Sequence, residues 1–83
     1  MEEKPYKTAD LPLAAYLHLK GMTILGTVKH KDDEKRKFFV FLDQPERDEW
    51  VEEFVTGEDS VSASRYFKAT RDVRRYLYGE QDS

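Results

Sequence analysis

Lys37-Phe38-Phe39-Val40-Phe41-Leu42 is the stretch around which the predicted fold is built. Its five consecutive apolar residues, four of them aromatic or β-branched, follow a charged run and precede Asp43-Gln44-Pro45. This composition favours a buried or half-buried strand over a helix. We expect one strand over Arg36–Asp43 and another from Met22 to about Lys31. Joined by polar residues 31–35, the two predict an antiparallel hairpin, which needs covering helices to be stable in water.

Pairing Val28 with Phe38 gives the hairpin two distinct faces, because side chains alternate along each strand. The expected core face carries Ile24, Gly26, Val28, Phe38, Val40 and Leu42. The second face carries Leu25, Thr27, Lys29, Lys37, Phe39 and Phe41. A slip of one residue would exchange the faces of one strand, so the assignment depends on this register.

Capping residues predict a helix before the hairpin and another after it. Asp10 is the expected N-cap of the first helix, with Thr8 as the alternative, and the helix runs to about Lys20 before Gly21. Its expected buried side comprises Leu13, Ala14, Tyr16 and Leu17. The second helix is expected to begin at Asp43 or Gln44, where Asp43-x-x-Glu46 resembles a capping box, and to end at Gly57. Its expected apolar stripe is Trp50, Val51, Phe54 and Val55.

A third helix, capped by Ser60 or Ser62, is expected to run to Tyr78 and stop at Gly79. The apolar residues that recur along it at helical spacing are Tyr66, Phe67, Ala69, Val73, Tyr76 and Leu77. The sequence therefore predicts an α+β fold, ordered α-β-β-α-α, with a central two-stranded antiparallel hairpin covered by helices. We expect a single compact domain over residues 6–79, with flexible ends at 1–5 and 80–83. The alternative is a mainly helical bundle with the hairpin as an appendage.

Composition restricts the class of protein. The chain has 83 residues, a net charge of −3 and no cysteine, which excludes disulfides and cysteine-based zinc sites and favours a reducing compartment. No apolar run approaches the length of a membrane span, and the start lacks the apolar segment of a signal peptide. We therefore expect a cytoplasmic protein.

Charge is segregated along the chain. Residues 45–56 carry five acids and one arginine, whereas residues 63–78 carry five bases and one aspartate. The bases form a candidate basic face on the last helix: Arg65, Lys68, Arg71, Arg74 and Arg75. Such a face is suited to phosphates or to an acidic protein surface. Alternatively, these side chains are solvated, complement the helix dipole, or pair with the acidic second helix.

The second hairpin face provides another candidate interaction surface, comprising Lys29, Lys37, Phe39 and Phe41. Aromatic rings flanked by lysines allow unpaired bases to stack while phosphates meet the ammonium groups. The alternative is that a helix or a partner simply covers the rings.

No arrangement of residues predicts catalysis, a cofactor or a metal ion. His18 and His30 have no partner at metal-ligand spacing, and the acids of residues 32–34 lack the glycine and the distal glutamate of a calcium loop. The glycines are dispersed, so no phosphate-binding loop is expected. We therefore expect no enzyme, and we assign no catalytic, cofactor-binding or metal-binding residue.

One family resemblance extends over about residues 6–79. The pattern Tyr6-x-Thr8-x-Asp10-Leu11-x-Leu13-Ala14-Ala15-x-Leu17-x-x-x-Gly21 resembles the opening of a family of small prokaryotic domains classed as a domain of unknown function. Members continue with a Phe/Val-rich strand, a helix, a glycine break and a final helix. Phe38–Leu42, Trp50–Phe54, Gly57 and Tyr76–Gly79 match that outline. The resemblance implies a fold but no activity.

Three functions remain open at this point. The first is a non-enzymatic protein-interaction module, with self-association through the hairpin edge or the second face as one mode, since a two-stranded sheet has open edges. The second is a nucleic-acid-binding module that uses the basic last helix or Phe39 and Phe41, which the acidic net charge disfavours. The third is a small-molecule sensor or enzyme, which requires a pocket.

Overall fold

The computed structural model describes residues 4–29, 36–57 and 61–78. Its elements, in chain order, are β1 (Tyr6–Thr8), α1 (Leu11–Lys20), β2 (Ile24–Lys29), β3 (Lys37–Phe41), α2 (Arg47–Thr56) and α3 (Ala63–Tyr78). The strands form one antiparallel sheet in the order β1-β3-β2. The α+β class is therefore confirmed. The expected α-β-β-α-α order is incomplete, because a strand precedes the first helix.

Strand β1 pairs with one edge of β3, so that β3 is the central strand of the sheet. Tyr6 pairs with Phe41 and Thr8 with Phe39, while β2 pairs with the other edge of β3. Thr8 is buried, and its Oγ1 accepts a hydrogen bond from the Asp10 N–H at 3.1 Å. The three-residue strand is too short to show an alternation in the sequence, which is why the expected hairpin lacked it.

Helix α1 forms as predicted and occupies the middle of the helical layer. The Asp10 side chain accepts the Leu13 N–H at 3.3 Å, and Gly21 closes the helix in the left-handed conformation at φ 111°. Five consecutive residues of the helix are buried: Leu13, Ala14, Ala15, Tyr16 and Leu17. An unbroken buried run is consistent with the position of α1, which contacts α2, α3 and β1.

The sheet buries the face opposite to the one expected. The register that pairs Val28 with Phe38 is confirmed. However, Phe39 and Phe41 are only 2% and 0% exposed and belong to the main core cluster. Val28 and Leu42, expected in the core, are 41% and 47% exposed. The main core thus lies on the aromatic side, which the helices cover. The predicted core face is wrong at Val28 and Leu42, whereas Val40 is buried and Ile24 packs against the core, as expected.

A bulge in β2 explains why Ile24 still packs against the core although the faces of the sheet are reversed. Ile24 pairs with Phe41, but Gly26 pairs with the adjacent Val40, so one extra residue, Leu25, lies between them. Ile24 consequently shares a face with Phe41 and packs against the core, whereas Leu25 is 56% exposed. Gly26 has φ 145°, a conformation that L-residues with side chains rarely adopt.

Helix α2 begins at Arg47, later than expected, and the capping box does not form. Glu46 precedes the helix without a side-chain capping bond. The Asp43 carboxylate instead accepts hydrogen bonds from Arg47 Nε at 3.0 Å and Nη2 at 3.2 Å. The Arg47 guanidinium also lies over the Tyr6 ring, 4.3 Å from its centroid. Gly57 ends the helix in the left-handed conformation, as predicted.

The α2 stripe packs only in part as expected. Trp50, Val51 and Phe54 contact the core, whereas Val55 is 74% exposed. The Phe54 ring lies 5.4 Å from that of Tyr16, and the Tyr16 hydroxyl donates to Glu53 at 3.3 Å. These contacts attach α2 to α1.

Helix α3 packs along α1, with its last turn against the sheet. The Tyr66 hydroxyl donates to the Pro12 carbonyl at 3.0 Å. At the other end, Thr27 Oγ1 donates to the Tyr76 carbonyl at 3.4 Å and Lys37 Nζ to the Leu77 carbonyl at 3.0 Å. These groups satisfy carbonyls that the last helical turn leaves without a partner. Ser62 precedes α3 and accepts the Arg65 N–H at 3.4 Å, whereas Ser60 and Gly79 lie outside the described residues.

We predict that the Asp43–Arg47 pair makes the stability fall at acidic pH. The hydrogen bonds from Arg47 lower the pKa of the Asp43 carboxyl. A carboxyl whose pKa is lowered on folding stabilises the protein above its unfolded pKa of about 4. That contribution is lost as the pH falls through the lower folded value. In urea unfolding between about pH 5 and about pH 2, Asp43→Asn should therefore show a shallower loss of stability than the unsubstituted protein. Parallel curves would contradict this.

Candidate interaction surface on the last helix

The outer side of α3 carries all the predicted bases on its exposed surface. Each is exposed to solvent: Arg65, Lys68, Arg71, Arg74 and Arg75. Phe67, on the same side, is 67% exposed. At 3.6 residues per turn, Phe67, Arg71 and Arg74 form one row along the helix, and Lys68, Arg71 and Arg75 form the adjacent row. Arg65 lies about 160° around the helix from Phe67, so we call Lys68, Arg71, Arg74 and Arg75 together with Phe67 the basic face.

Among the described residues, no acid forms an ion pair with any of the five predicted bases of α3. The one acid of α3, Asp72, lies beside α1, with its Oδ2 3.6 Å from His18 Nε2. The interpretation that the bases pair with α2 is therefore wrong for the described residues, and a cluster of positive charge remains open to a partner.

The exposure of Phe67 was missed in the sequence. Its inclusion in the apolar stripe of the last helix is wrong, because the residues that pack inward are Tyr66, Ala69, Val73, Tyr76 and Leu77. A signal was present nonetheless. Phe67 precedes Arg71 by four residues and Arg74 by seven, which is the spacing of one helix face.

The other predicted surface does not exist as an exposed patch. Phe39 and Phe41 are buried under the helices, and Lys37 donates to the Leu77 carbonyl at the end of α3. A cation at this position also interacts favourably with the helix dipole. Only Lys29 of the four residues is exposed. The expectation of open aromatic rings for base stacking on the sheet is thus wrong.

Helix α2 carries an exposed surface of opposite charge. Asp48, Glu49 and Glu52 are exposed, and Val55 is 74% exposed beside them. Asp48, Glu52 and Val55 form one row at spacings of four and three residues. Asp48 also accepts a hydrogen bond from Arg47 Nη1 at 2.6 Å, but its side chain remains 86% exposed. We call these three acids together with Val55 the acidic face.

The surface depressions of the described residues differ in polarity. One of about 360 Å³ is lined by residues that include Lys4, Asp43 and Arg47, where the charges already pair with one another. Another, of about 260 Å³, lies between α1 and α3 and is lined by His18, Arg65 and other residues of the two helices. Neither has the mainly apolar lining of a typical ligand site. A third depression, of about 230 Å³, does have a mainly apolar lining, which includes Tyr16, Phe54 and Tyr66.

The described part of the chain shows no cluster of three or more potential metal ligands. His18, on α1, faces Asp72 of α3 and has its Nδ1 buried without a hydrogen-bond partner among the described residues, whereas His30 lies outside them. Among the described helices, none combines the length and apolarity needed to cross a membrane.

Comparison with known proteins identifies one family model that matches the chain. No curated protein and no solved structure shows a significant match to the chain. A family model described as "Domain of unknown function (DUF5659)" matches residues 3–79. This range spans every helix and strand of the structure. The chain therefore belongs to the DUF5659 family.

Proposed function

We propose that this domain is a non-enzymatic protein-interaction module that binds an acidic protein surface through the basic face of α3. The observation that carries the proposal is a cluster of four exposed bases around an exposed phenylalanine, on a helix that packs by its other side. A rigid helix that presents charge around an apolar anchor is a common way to dock a partner.

The charges determine the class of partner. Arginine side chains form paired hydrogen bonds to carboxylates, and opposite charges accelerate encounter and orient the partner. Phe67 supplies apolar area that becomes buried on docking. An acidic surface with an apolar residue among its carboxylates satisfies both features.

Nucleic-acid binding is the second candidate function, and Phe67 is the observation that favours it. The exposed Phe67 ring can stack on an unpaired nucleobase while the surrounding arginine side chains contact the phosphates. The net charge of −3 and the acidic face on α2 oppose the approach of a polyanion. We therefore place this candidate second.

A peptide titration tests the proposal. The probe is an acidic helical peptide of about 20 residues with leucine on the same face as its glutamates, and its matched control carries glutamine in place of glutamate. At about 20 mM salt we expect the acidic peptide to bind and the control peptide to bind at least about tenfold more weakly. Fluorescence anisotropy of a labelled peptide gives both affinities.

Matched variants locate the binding surface. Arg71→Glu with Arg75→Glu should weaken peptide binding by about tenfold or more. Lys7→Glu with Lys29→Glu makes the same change in net charge at exposed positions on the sheet and should have a much smaller effect. Failure to bind the acidic peptide, or equal losses in the two double variants, would overturn the proposal. Tighter, Arg71-dependent binding of a single-stranded oligonucleotide would support nucleic acid as the ligand instead.

A further inference from the structure

The partner of the basic face can be specified further from the chain itself. We infer that the acidic surface bound by the basic face is the acidic face of a second copy of this chain, so that α3 of one copy docks against α2 of another. This inference rests on the proposed function, because it assigns a partner to the same surface. It is carried by the order and spacing of the residues on the two faces.

The two faces match when the helices run antiparallel. Phe67 and Arg74 are seven residues apart on α3, and Val55 and Asp48 are seven residues apart on α2. At a rise of about 1.5 Å per residue, each row is about 10.5 Å long. With Phe67 opposite Val55, Arg74 therefore comes opposite Asp48.

The middle of each row also matches. Arg71 lies four residues beyond Phe67, and Glu52 lies three residues before Val55. In the antiparallel arrangement these two side chains differ in height by about 1.5 Å, which long side chains accommodate easily. One apolar contact and two ion pairs thus form together, and no like charges meet along the two rows.

The exposure of both faces within one copy is consistent with docking between two copies. Val55 and Phe67 are 74% and 67% exposed although their neighbours pack into the core. The bases of α3 form no ion pair with α2 of their own chain, within the residues that the structure describes. Docking of a second copy would cover both apolar side chains and pair both sets of charges.

The contact joins two different surfaces, so each copy has one surface of each kind to offer. Two copies can close a pair of equal contacts about a two-fold axis, or the contact can repeat from copy to copy. Either form raises the mass above the 9.8 kDa of one chain. Exposed ion pairs weaken as salt screens them. The association should therefore weaken between about 20 mM and about 300 mM salt.

Charge reversal combined with sedimentation equilibrium tests the inference. Arg71→Glu alone and Glu52→Arg alone should each weaken self-association about tenfold, because each places like charges opposite one another. The double variant, with both changes in one chain, should recover most of the lost affinity. Arg65→Glu is the matched control, since it lies on α3 about 160° around the helix from Phe67 and should have a clearly smaller effect.

The outcomes separate this inference from the proposed function. A chain that stays monomeric at low salt, a double variant without recovery, or equal losses from Arg65→Glu and Arg71→Glu would each overturn the docking of two copies. If the acidic peptide still binds with dependence on Arg71 in that case, the basic face serves a different acidic protein. If neither the peptide nor a second copy binds, both the proposed function and the docking of two copies are wrong.

Discussion

Replacing Phe41 with alanine should cost about 3–5 kcal/mol of the free energy of unfolding. The ring is fully buried in the core between the central strand and the helices, so its loss removes apolar burial and leaves a cavity. Small domains are typically stable by only about 5–15 kcal/mol, and the variant should be close to unfolding at room temperature. Urea denaturation followed by the fluorescence of the single tryptophan, Trp50, measures the change.

The neighbouring residue provides the control. Leu42 is 47% exposed, although the sequence pattern placed it in the core. Leu42→Ala should therefore change the stability by no more than about 0.5 kcal/mol, as is usual for surface positions. A larger loss for Leu42→Ala than for Phe41→Ala would show that the sheet buries the opposite face.

The second large effect is expected at the β2 bulge. Gly26→Ala should cost about 1–3 kcal/mol, because φ at this position is far from the values that alanine prefers. An added Cβ would meet no atom within 4 Å, so the cost is conformational and not steric. The measurement is again the urea midpoint.

Leu25→Ala serves as the matched control for the bulge. Leu25 is the neighbouring exposed residue and does not have a positive φ, so its truncation should be nearly neutral. A Gly26→Ala variant as stable as the unsubstituted protein would contradict the view that the bulge requires glycine. If both variants lost stability equally, Leu25 would have an unrecognised packing role.

Local signals in the sequence predicted much of the fold. Asp10 and Gly21 bound α1 because capping depends on a few neighbouring residues. The pairing of Val28 with Phe38, on which the predicted faces depended, is also the one observed. The buried face did not follow, because both faces of β3 carry apolar residues and the packing of the helices decides between them. The bulge at Leu25 and the short strand β1 were not recognisable in the sequence.

Competition between local interactions explains the late start of α2. Asp43 has two possible partners: the backbone of the first turn, as in a capping box, and the Arg47 guanidinium four residues later. The charged pair forms, and the helix begins at Arg47. Two bonds from a charged guanidinium hold the carboxylate more strongly than one bond from a neutral backbone N–H, which the capping pattern does not take into account. Asp43 Oδ1 also accepts the Gln44 N–H at 2.9 Å, outside the helix.

The candidate site was predictable in its charge but not in its apolar component. The spacing of the bases on α3 was sufficient to place them on the outer side. Phe67 was assigned to the core because its neighbour Tyr66 belongs there, and a stripe defined by composition alone includes both. The orientation of α3 against α1 decides between them, and that orientation depends on tertiary packing.

The three-residue strand β1 also has a consequence for aggregation. It covers one edge of β3, a strand that contains three phenylalanines, through a pairing that spans more than thirty residues of sequence. If this short strand detaches, the backbone N–H and C=O groups of β3 become an open edge next to hydrophobic side chains, which is a template for misassembly between chains. Residues 6–8 thus protect the edge of β3 from pairing with another chain. A chain that lacks them would be prone to form amyloid-like β-structure.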